Sequence, residues 1–371
     1  MTPQPGDERF MRRALELAER ARGLTSPNPM VGAVVVLGGA IVGEGFHAAA
    51  GRPHAEIEAL AAAGGRARGA TLYVTLEPCA HHGRTPPCAP AVVAAGVSRV
   101  VAAIRDPNPE VSGRGLASLR GAGVEITLGV GEDEAARQNR VFLTAMREGR
   151  PHVTLKAAMT LDGKLADVQG TSRWITAEGA RLEAHRLRSE ADAIVVGIGT
   201  VLADDPALTV RLPAPWPREP LRVVLDRAAR TPPSARLITA GTPARALVAV
   251  AADAPAERVT ALEGAGAGLL RLPVRDDRVE PGALLDALFA REVRGVLVEG
   301  GGEVHASFLE AGLVDRVAFF VAPRLLGGRR ATPVVGGQGL ALKDATRLGP
   351  LSVRQVGEDL LIEADVLRRG R

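Results

Sequence analysis

Two α/β domains in series are the architecture that this 371-residue sequence predicts. Strand-like and helix-like segments alternate along the chain, which implies layered sheets covered by helices. The alternation breaks at Gly149-Arg150-Pro151 and then restarts, and the length suits two or three cores rather than one. Asp7 can cap a first helix over 7–22, on which Phe10, Met11, Ala14, Leu15 and Ala18 recur near helical spacing. Strands at 31–37 and 40–46, joined through Gly38-Gly39, read as a hairpin. A short helix over 55–63 follows directly after His54, and a strand at 72–76 runs into Pro78-Cys79. Next come a helix over 89–95, a strand at 98–104, a helix over 114–121, a strand at 123–128 and one long amphipathic helix over 132–148. Past the break, a strand opens at 152–158, followed by a helix over 177–190, strands at 192–196 and 221–225, and strands around 235–250. A helix over 281–290, a strand at 295–299 and a helix over 303–311 complete the second pattern. The Pro-rich stretch 213–220 is a loop inside the second domain, because strands continue on both sides of it. The predicted domains are 1–148 and 149–371, and no repeat of solenoid period is present.

Composition narrows the class of function. Hydrophobic residues make up 46% and charged residues 24%, as in ordinary globular proteins, while aromatics are only 3%, so the cores must be built from Val, Leu, Ala and Ile. The sequence pI is near 9.6, yet the net charge is only +4 and no dense basic block interleaved with aromatics is present. On charge alone, anionic small molecules are favoured about as well as a polynucleotide, and without such a block nucleic acid is not an expected partner. The polar first residues do not read as a signal peptide, and no apolar stretch approaches the ~18 residues of a membrane span. The expectation is a cytoplasmic protein without a membrane partner, whose two cysteines serve as metal ligands rather than as a disulfide.

Both cysteines fall in one short stretch, Cys79 and Cys88, downstream of His54-Ala55-Glu56. One histidine and two thiolates are three ligands, and a catalytic zinc keeps its fourth position for water. In a deaminase the metal lowers the pKa of that water, and a carboxylic residue moves the proton to the departing amine. Glu56, two residues after His54, stands where that carboxylic residue belongs, and both sit at a predicted helix N-terminus, which favours anions. Singly, His54 reads as a surface or core histidine, Glu56 as a solvated helix residue and the cysteines as small hydrophobes. Jointly they read as a zinc-dependent deaminase acting on a nucleobase-like ring. The usual deaminase spacing is Cys-x-x-Cys, whereas eight residues separate Cys79 from Cys88.

That insertion points to a narrower relative. His54-Ala-Glu56 together with Thr75-Leu-Glu-Pro-Cys-Ala-His-His-Gly-Arg-Thr-Pro-Pro-Cys88 closely resembles the bifunctional deaminase–reductases of bacterial riboflavin biosynthesis. The resemblance continues through Asp106-Pro-Asn-Pro109, Leu161-Asp-Gly163, Ser172-Arg-Trp-Ile-Thr176, Thr200 to Arg211, Val298-Glu-Gly-Gly-Gly302 and Ala322 to Gly327. It implies an N-terminal cytidine-deaminase-like three-layer α/β/α domain and a C-terminal dihydrofolate-reductase-like α/β domain. The first would hydrolyse an amino group from a diaminopyrimidinone ribosylamine 5′-phosphate, and the second would use NADPH to reduce the ribosyl group to ribityl. Position by position, the resemblance implies His54, Cys79 and Cys88 as ligands of one Zn2+, Glu56 as proton donor, and Asn28, His47, His81 and Arg84 as the deaminase pocket. An arginine at 84, where some relatives carry lysine, offers a substrate phosphate a fork rather than a point charge. Assembly as a homo-oligomer is implied as well.

In the second half, Leu297-Val-Glu299 reads as a strand that ends in Gly300-Gly-Gly302 and leads into a helix, an arrangement whose exposed N–H groups suit a pyrophosphate. A Gly-x-Gly-x-x-Gly fingerprint is absent, and alone the triplet is a flexible turn. The resemblance implies NADP binding by Gly301, Gly302, Glu303, Val304, His305, Ala306 and Ser307, and by Ala158, Trp174, Thr200, Asp204 and Arg227. It implies reductase substrate contacts from Ser172, Arg188, Leu208, Arg211 and Glu299. Read alone, Arg188 suits a solvated helix face and Trp174 a core. An RNA adenosine deaminase with an accessory domain shares His-Ala-Glu and Pro-Cys, but it needs Cys-x-x-Cys and a basic, aromatic surface. A zinc-stapled binding protein would have no use for Glu56.

Overall fold

The computed structural model describes residues 2–81, 86–108, 111–242 and 245–368. The chain divides into two compact units, Met1–Gly149 and Arg150–Arg371.

The first unit runs α1 (Asp7–Glu19), β1 (Gly32–Leu37), β2 (Ala40–Phe46), α2 (Ala55–Ala63), β3 (Thr71–Leu76), α3 (Cys88–Ala94), β4 (Arg99–Ile104), α4 (Arg114–Gly121), β5 (Glu125–Leu128), α5 (Glu132–Gln138) and α6 (Arg140–Glu148). Its sheet has the order β2-β1-β3-β4-β5, with β1 antiparallel to β2 and β3, and β3, β4 and β5 parallel. Alanine, valine and leucine dominate its core, with Phe10 and Tyr73 as the buried aromatics, as the scarcity of aromatics requires. Helix α2 lies directly on the backbone of β2. A Cβ at Gly43 would stand 2.2 Å from the Ala59 carbonyl oxygen, and one at Gly45 2.5 Å from that of Ala55. Only glycine permits that approach, and it brings the first turn of α2 close to the sheet.

Two expectations for this unit are corrected. Asp7 does not cap α1; it is the first helical residue, after Gly6. Its carboxylate is drawn inward, where Arg99 donates to both oxygens at 2.9 and 2.7 Å and the Tyr73 hydroxyl donates at 2.8 Å. The long helix over 132–148 is two helices, because Asn139 leaves helical geometry. Its buried amide bonds the backbone of Met30 in both directions, Met30 N–H to Oδ1 at 2.8 Å and Nδ2 to the Met30 carbonyl at 2.9 Å.

The second unit begins with β6 (His152–Thr160), β7 (Lys164–Ala166), α7 (Glu178–Glu190), β8 (Ala193–Gly197), α8 (Ile198–Asp204), β9 (Leu221–Leu225), α9 (Arg236–Thr239), β10 (Ala246–Val250), α10 (Ala256–Gly264) and β11 (Gly268–Arg271). The hairpin β12 (Val274–Arg275) and β13 (Arg278–Val279) precedes α11 (Pro281–Phe289), β14 (Gly295–Val298), α12 (Gly302–Glu310), β15 (Arg316–Ala322), β16 (Thr332–Pro333), β17 (Arg347–Leu348), β18 (Ser352–Val356) and β19 (Asp359–Leu367). The large sheet has the order β11-β10-β9-β8-β14-β6-β15-β19-β17, with β18 also on β19. It is parallel from β11 through β15, and β19 is antiparallel to β15. The segment around 235–250 is strand only from Ala246. Arg236–Thr239 is a helical turn whose first N–H donates to the Asp205 carboxylate at 2.8 Å. Among the described residues, no helix is long and apolar enough to cross a membrane.

The Asp7–Arg99 pair is buried on both sides. Asp7→Asn should cost the first unit ~3–5 kcal/mol, because it strands the Arg99 guanidinium; denaturant unfolding measures the loss, and a change below about 1 kcal/mol would show that the pair does not hold α1.

Candidate functional site

In the first unit, His54 is the extended residue immediately before α2, with φ −74° and ψ 159°. Cys79 follows the end of β3, and Cys88 opens α3. The His54 Nδ1 lies 3.2 Å from Cys88 Sγ and 3.6 Å from Cys79 Sγ, and the three candidate ligand atoms all lie within 4.8 Å of one another. The Cys88 backbone N–H points at the Cys79 sulfur, 3.4 Å away. The hydrogen bond from Cys88 and the His54 imidazole hold Cys79 below the ordinary thiol range, while Cys88 is pushed up by its partner thiol and by burial. His54 is pushed up by its contact with Cys79. Glu56 is 3% exposed, and burial raises its carboxyl to about 7. An imidazole, two sulfurs and a carboxyl that can take and release a proton near neutrality therefore meet in one place.

Beside them, Asn28 and His47 form a pair. The His47 Nδ1–H donates to the Pro53 carbonyl at 3.1 Å, which leaves Nε2 to accept from the Asn28 amide, also at 3.1 Å. Burial pulls His47 down, in keeping with a neutral ring, and its ring centre lies 5.4 Å from that of His54. His81 has a buried Nδ1 without a hydrogen-bond partner among the described residues. Arg84 lies outside the described residues.

Two carboxylates that the spacing of the motifs did not single out also shape this centre. Glu77 is buried and accepts four backbone N–H groups: Asp106 and Gly113 on Oε2, at 3.3 and 3.0 Å, and Gly115 and Leu116 on Oε1, at 3.0 and 3.2 Å. It thus ties the start of α4 beneath Pro78-Cys79. The fit is close enough that a Cβ at Gly115 would fall 1.7 Å from the Pro78 carbonyl oxygen. Asp106 is buried and is raised to about 6, chiefly by burial and then by the Glu77 and Cys79 charges.

In the second unit, Glu299 stands at the end of β14. Arg188 of α7 forks onto it at 2.6 and 2.8 Å, and Lys156 of β6 approaches to 3.6 Å. Despite burial, those cations hold Glu299 down at about 2, and burial lowers Lys156. Ser172 donates to the Asp204 carboxylate at 3.0 Å, and Arg173 bonds the Asp204 carbonyl. Trp174 is 62% exposed, lies under the Arg181 guanidinium at 4.6 Å and is no core aromatic. Ala158 lies on β6, and Leu208 is buried with a positive φ of 51°. Arg211 is exposed, and its guanidinium donates to the Thr209 hydroxyl at 3.3 Å.

The glycines Gly300 to Gly302 bring the start of α12 against the start of α8: a Cβ at Gly300 would stand 2.6 Å from Val196 Cα, and one at Gly301 would look onto Thr200 Oγ1 at 3.6 Å. Within 301–307 the side chains diverge. His305 turns inward to donate from Nδ1 to the Val334 carbonyl at 2.7 Å, Ala306 is buried, Ser307 bonds back to Val304, and Glu303 is exposed beside Arg278. This loop offers a ligand mostly backbone. Arg227 is held between Asp253 and Asp277, each at 3.2 Å.

Comparison with known proteins matches residues 5–104 to the cytidine and deoxycytidylate deaminase zinc-binding region and residues 151–362 to the RibD C-terminal domain. The riboflavin biosynthesis protein RibD of Bacillus amyloliquefaciens is 44% identical over 361 residues, covering 96% of both chains. The chain belongs to the RibD family. A solved RibD structure from Acinetobacter baumannii superposes with a TM-score of 0.89 at 40% identity, over 98% of this chain and 99% of that one. The diaminohydroxyphosphoribosylaminopyrimidine deaminase/5-amino-6-(5-phosphoribosylamino)uracil reductase of Thermotoga maritima gives 0.85 at 37% identity, over 97% and 99%. The N-terminal fold is cytidine-deaminase-like and the C-terminal fold dihydrofolate-reductase-like.

Glu77→Gln should loosen two of its four hydrogen bonds and weaken metal retention by about ten-fold or more, as mutations behind a ligand do. Competition with a coloured chelator reads this, and unchanged zinc retention would remove Glu77 from the site. A Glu299 held near 2 in the folded protein and near 4.5 when unfolded contributes stability that is complete above about pH 5 and fades as pH falls toward 2. The acid limb of the unfolding curve should accordingly flatten in Glu299→Gln; identical limbs would refute the coupling.

Proposed function

We propose that the chain carries out two successive steps of riboflavin biosynthesis, a zinc-dependent deamination in the first unit and an NADPH-dependent reduction in the second. The Thermotoga maritima relative is a diaminohydroxyphosphoribosylaminopyrimidine deaminase and 5-amino-6-(5-phosphoribosylamino)uracil reductase, and the same two reactions here would hydrolyse an amino group from the phosphorylated pyrimidine and then reduce its ribosyl chain to ribityl. The observation that carries the reading is the His54, Cys79 and Cys88 triad with Glu56 buried at its side. One imidazole and two thiolates suit tetrahedral zinc with one position open, so the donor set fits the metal. Zinc bound there would supply Lewis acidity and a nucleophile from water near neutral pH.

The chain's own residues do the rest. Glu56, with its carboxyl near 7, takes a proton from the attacking water and returns it to the departing amine, so that water and the amino-bearing ring carbon become a carbonyl and ammonia. The neutral His47 fixes the Asn28 amide, which can hold the ring, and by their place in the family's motif His81 and Arg84 contact the substrate. Both cysteines are free thiols, which suits a reducing cytoplasm.

In the second unit the paired starts of α8 and α12 fit a dinucleotide phosphate, with Thr200, Gly301 and Gly302 as its backbone cradle and Trp174 as a face for stacking. NADPH supplies the hydride, and the protein orients the two reactants. Glu299, kept ionised, accepts from the substrate, Lys156 beside it donates, and Arg188 holds Glu299 in place. Lys156 escaped the sequence reading although it is one of three lysines and interrupts an apolar strand.

Glu56→Gln should retain zinc yet lose deamination by ~10^2-fold or more, while NADPH oxidation with the deaminated intermediate continues. Coupled absorbance assays on the whole chain separate the two steps. Undiminished deamination with zinc bound would overturn the role of Glu56, and reduction that vanished with zinc removal would overturn independent sites.

A further inference from the structure

Helix α7 sets Arg181, His185 and Arg188 on one face, four and three residues apart, the spacing that stacks side chains along a helix. Arg181 covers Trp174 and Arg188 forks onto Glu299, so this face borders the reductase centre. His185, between them, has no part in the reaction described so far. Its Nδ1 accepts the backbone N–H of Arg211 at 3.2 Å. A ring nitrogen that accepts a hydrogen bond bears the lone pair, so the neutral imidazole carries its proton on Nε2. No group among the described residues takes that proton.

The charges facing the ring are Arg188 from its own helix, Arg211 from the loop after α8, Lys156 from β6 and Glu299 from the end of β14. Burial first, and then the arginines, hold His185 down at about 4, so at neutral pH it is an uncharged donor. Three cations face one carboxylate here, and that carboxylate is engaged by Arg188 and Lys156. Arg211 has no acidic partner within ion-pair distance among the described residues, and Arg188 and Arg236 crowd it with like charge. Surplus positive charge, a guanidinium without an acidic partner among the described residues and an oriented N–H suit an anion with several acceptor oxygens.

We propose that His185 is a further substrate-contacting residue of the reductase, its Nε2–H donating to the phosphate group of the substrate beside the Arg211 guanidinium. The inference rests on the reductase reading above. The Arg211 N–H bond fixes the tautomer and the ring orientation, so phosphate binding meets a donor already aimed.

Two isosteres separate the roles of the two ring nitrogens. Asparagine places an acceptor near the Nδ1 position and has nothing at Nε2, whereas glutamine places an amide N–H near Nε2. With the zinc-loaded whole chain and NADPH, His185→Asn should raise KM for the phosphorylated deaminated intermediate about ten-fold, roughly one hydrogen bond to a charged group, with kcat falling far less. His185→Gln should stay close to wild type. Calorimetry with the same intermediate lacking its phosphate should show no difference among the three proteins, and NADPH binding measured the same way reports that the second unit of each variant is folded. The proposal is overturned if His185→Asn binds the phosphorylated compound as wild type does, if the loss persists without the phosphate, or if asparagine rescues and glutamine does not. Wild-type protein that fails to oxidise NADPH with the intermediate would bring down the reductase reading itself, and this contact with it.

Discussion

Taking a carboxylate out of water is so costly that donors must converge on it, and Asp7, Glu77 and Glu299 each draw together segments remote in sequence. Asp7 binds α1 to β3 and β4 through Tyr73 and Arg99. Glu77 gathers the backbone from Asp106 to Leu116 beneath the cysteine loop. Glu299 joins β6, α7 and β14 through Lys156 and Arg188. Remove the charge and the donors are left unmet, so these three groups fix the positions of elements that apolar packing alone would let slide.

The two centres use that constraint differently. In the first unit, Glu77 meets neutral backbone N–H groups and thereby orients a loop, while for Glu56 burial outweighs the nearby His54 and the carboxyl holds its proton longer. In the second unit, Glu299 is matched by side-chain cations and stays ionised far into acid. One arrangement yields a group that exchanges protons near neutrality and the other a permanent acceptor, as hydrolysis of an amine and orientation of a reductant's partner respectively require.

Much of this was legible in the sequence, because spacing carried it. His54-Ala-Glu56 before an apolar helix, and two cysteines beside prolines, put His54 just before α2 and Cys88 at the start of α3, where the structure brings His54, Cys79 and Cys88 together, and the structure divides at the Gly149-Arg150-Pro151 break. What stayed hidden depends on contacts across long stretches of chain. Asn139 reads as an ordinary helical position until Met30 is seen to occupy its amide, and Asp7 reads as a cap until Arg99 is seen to claim it. His305 falls within a stretch whose resemblance implied cofactor contacts, and nothing in the linear pattern says that its Nδ1 engages the Val334 carbonyl. Glu77 sat inside the recognised motif, but nothing in a linear pattern says which four amides a carboxylate will meet.

Trp174, exposed beneath Arg181 at the edge of the reductase centre, has a consequence for observation. The chain holds two tryptophans, Trp174 and Trp216, and both belong to the second unit. The deaminase half is therefore nearly dark to fluorescence, with Tyr73 its one weak emitter. Indole emission from the intact protein reports on one half alone, and an occupant of the second centre can be watched without any label while the first turns over unseen.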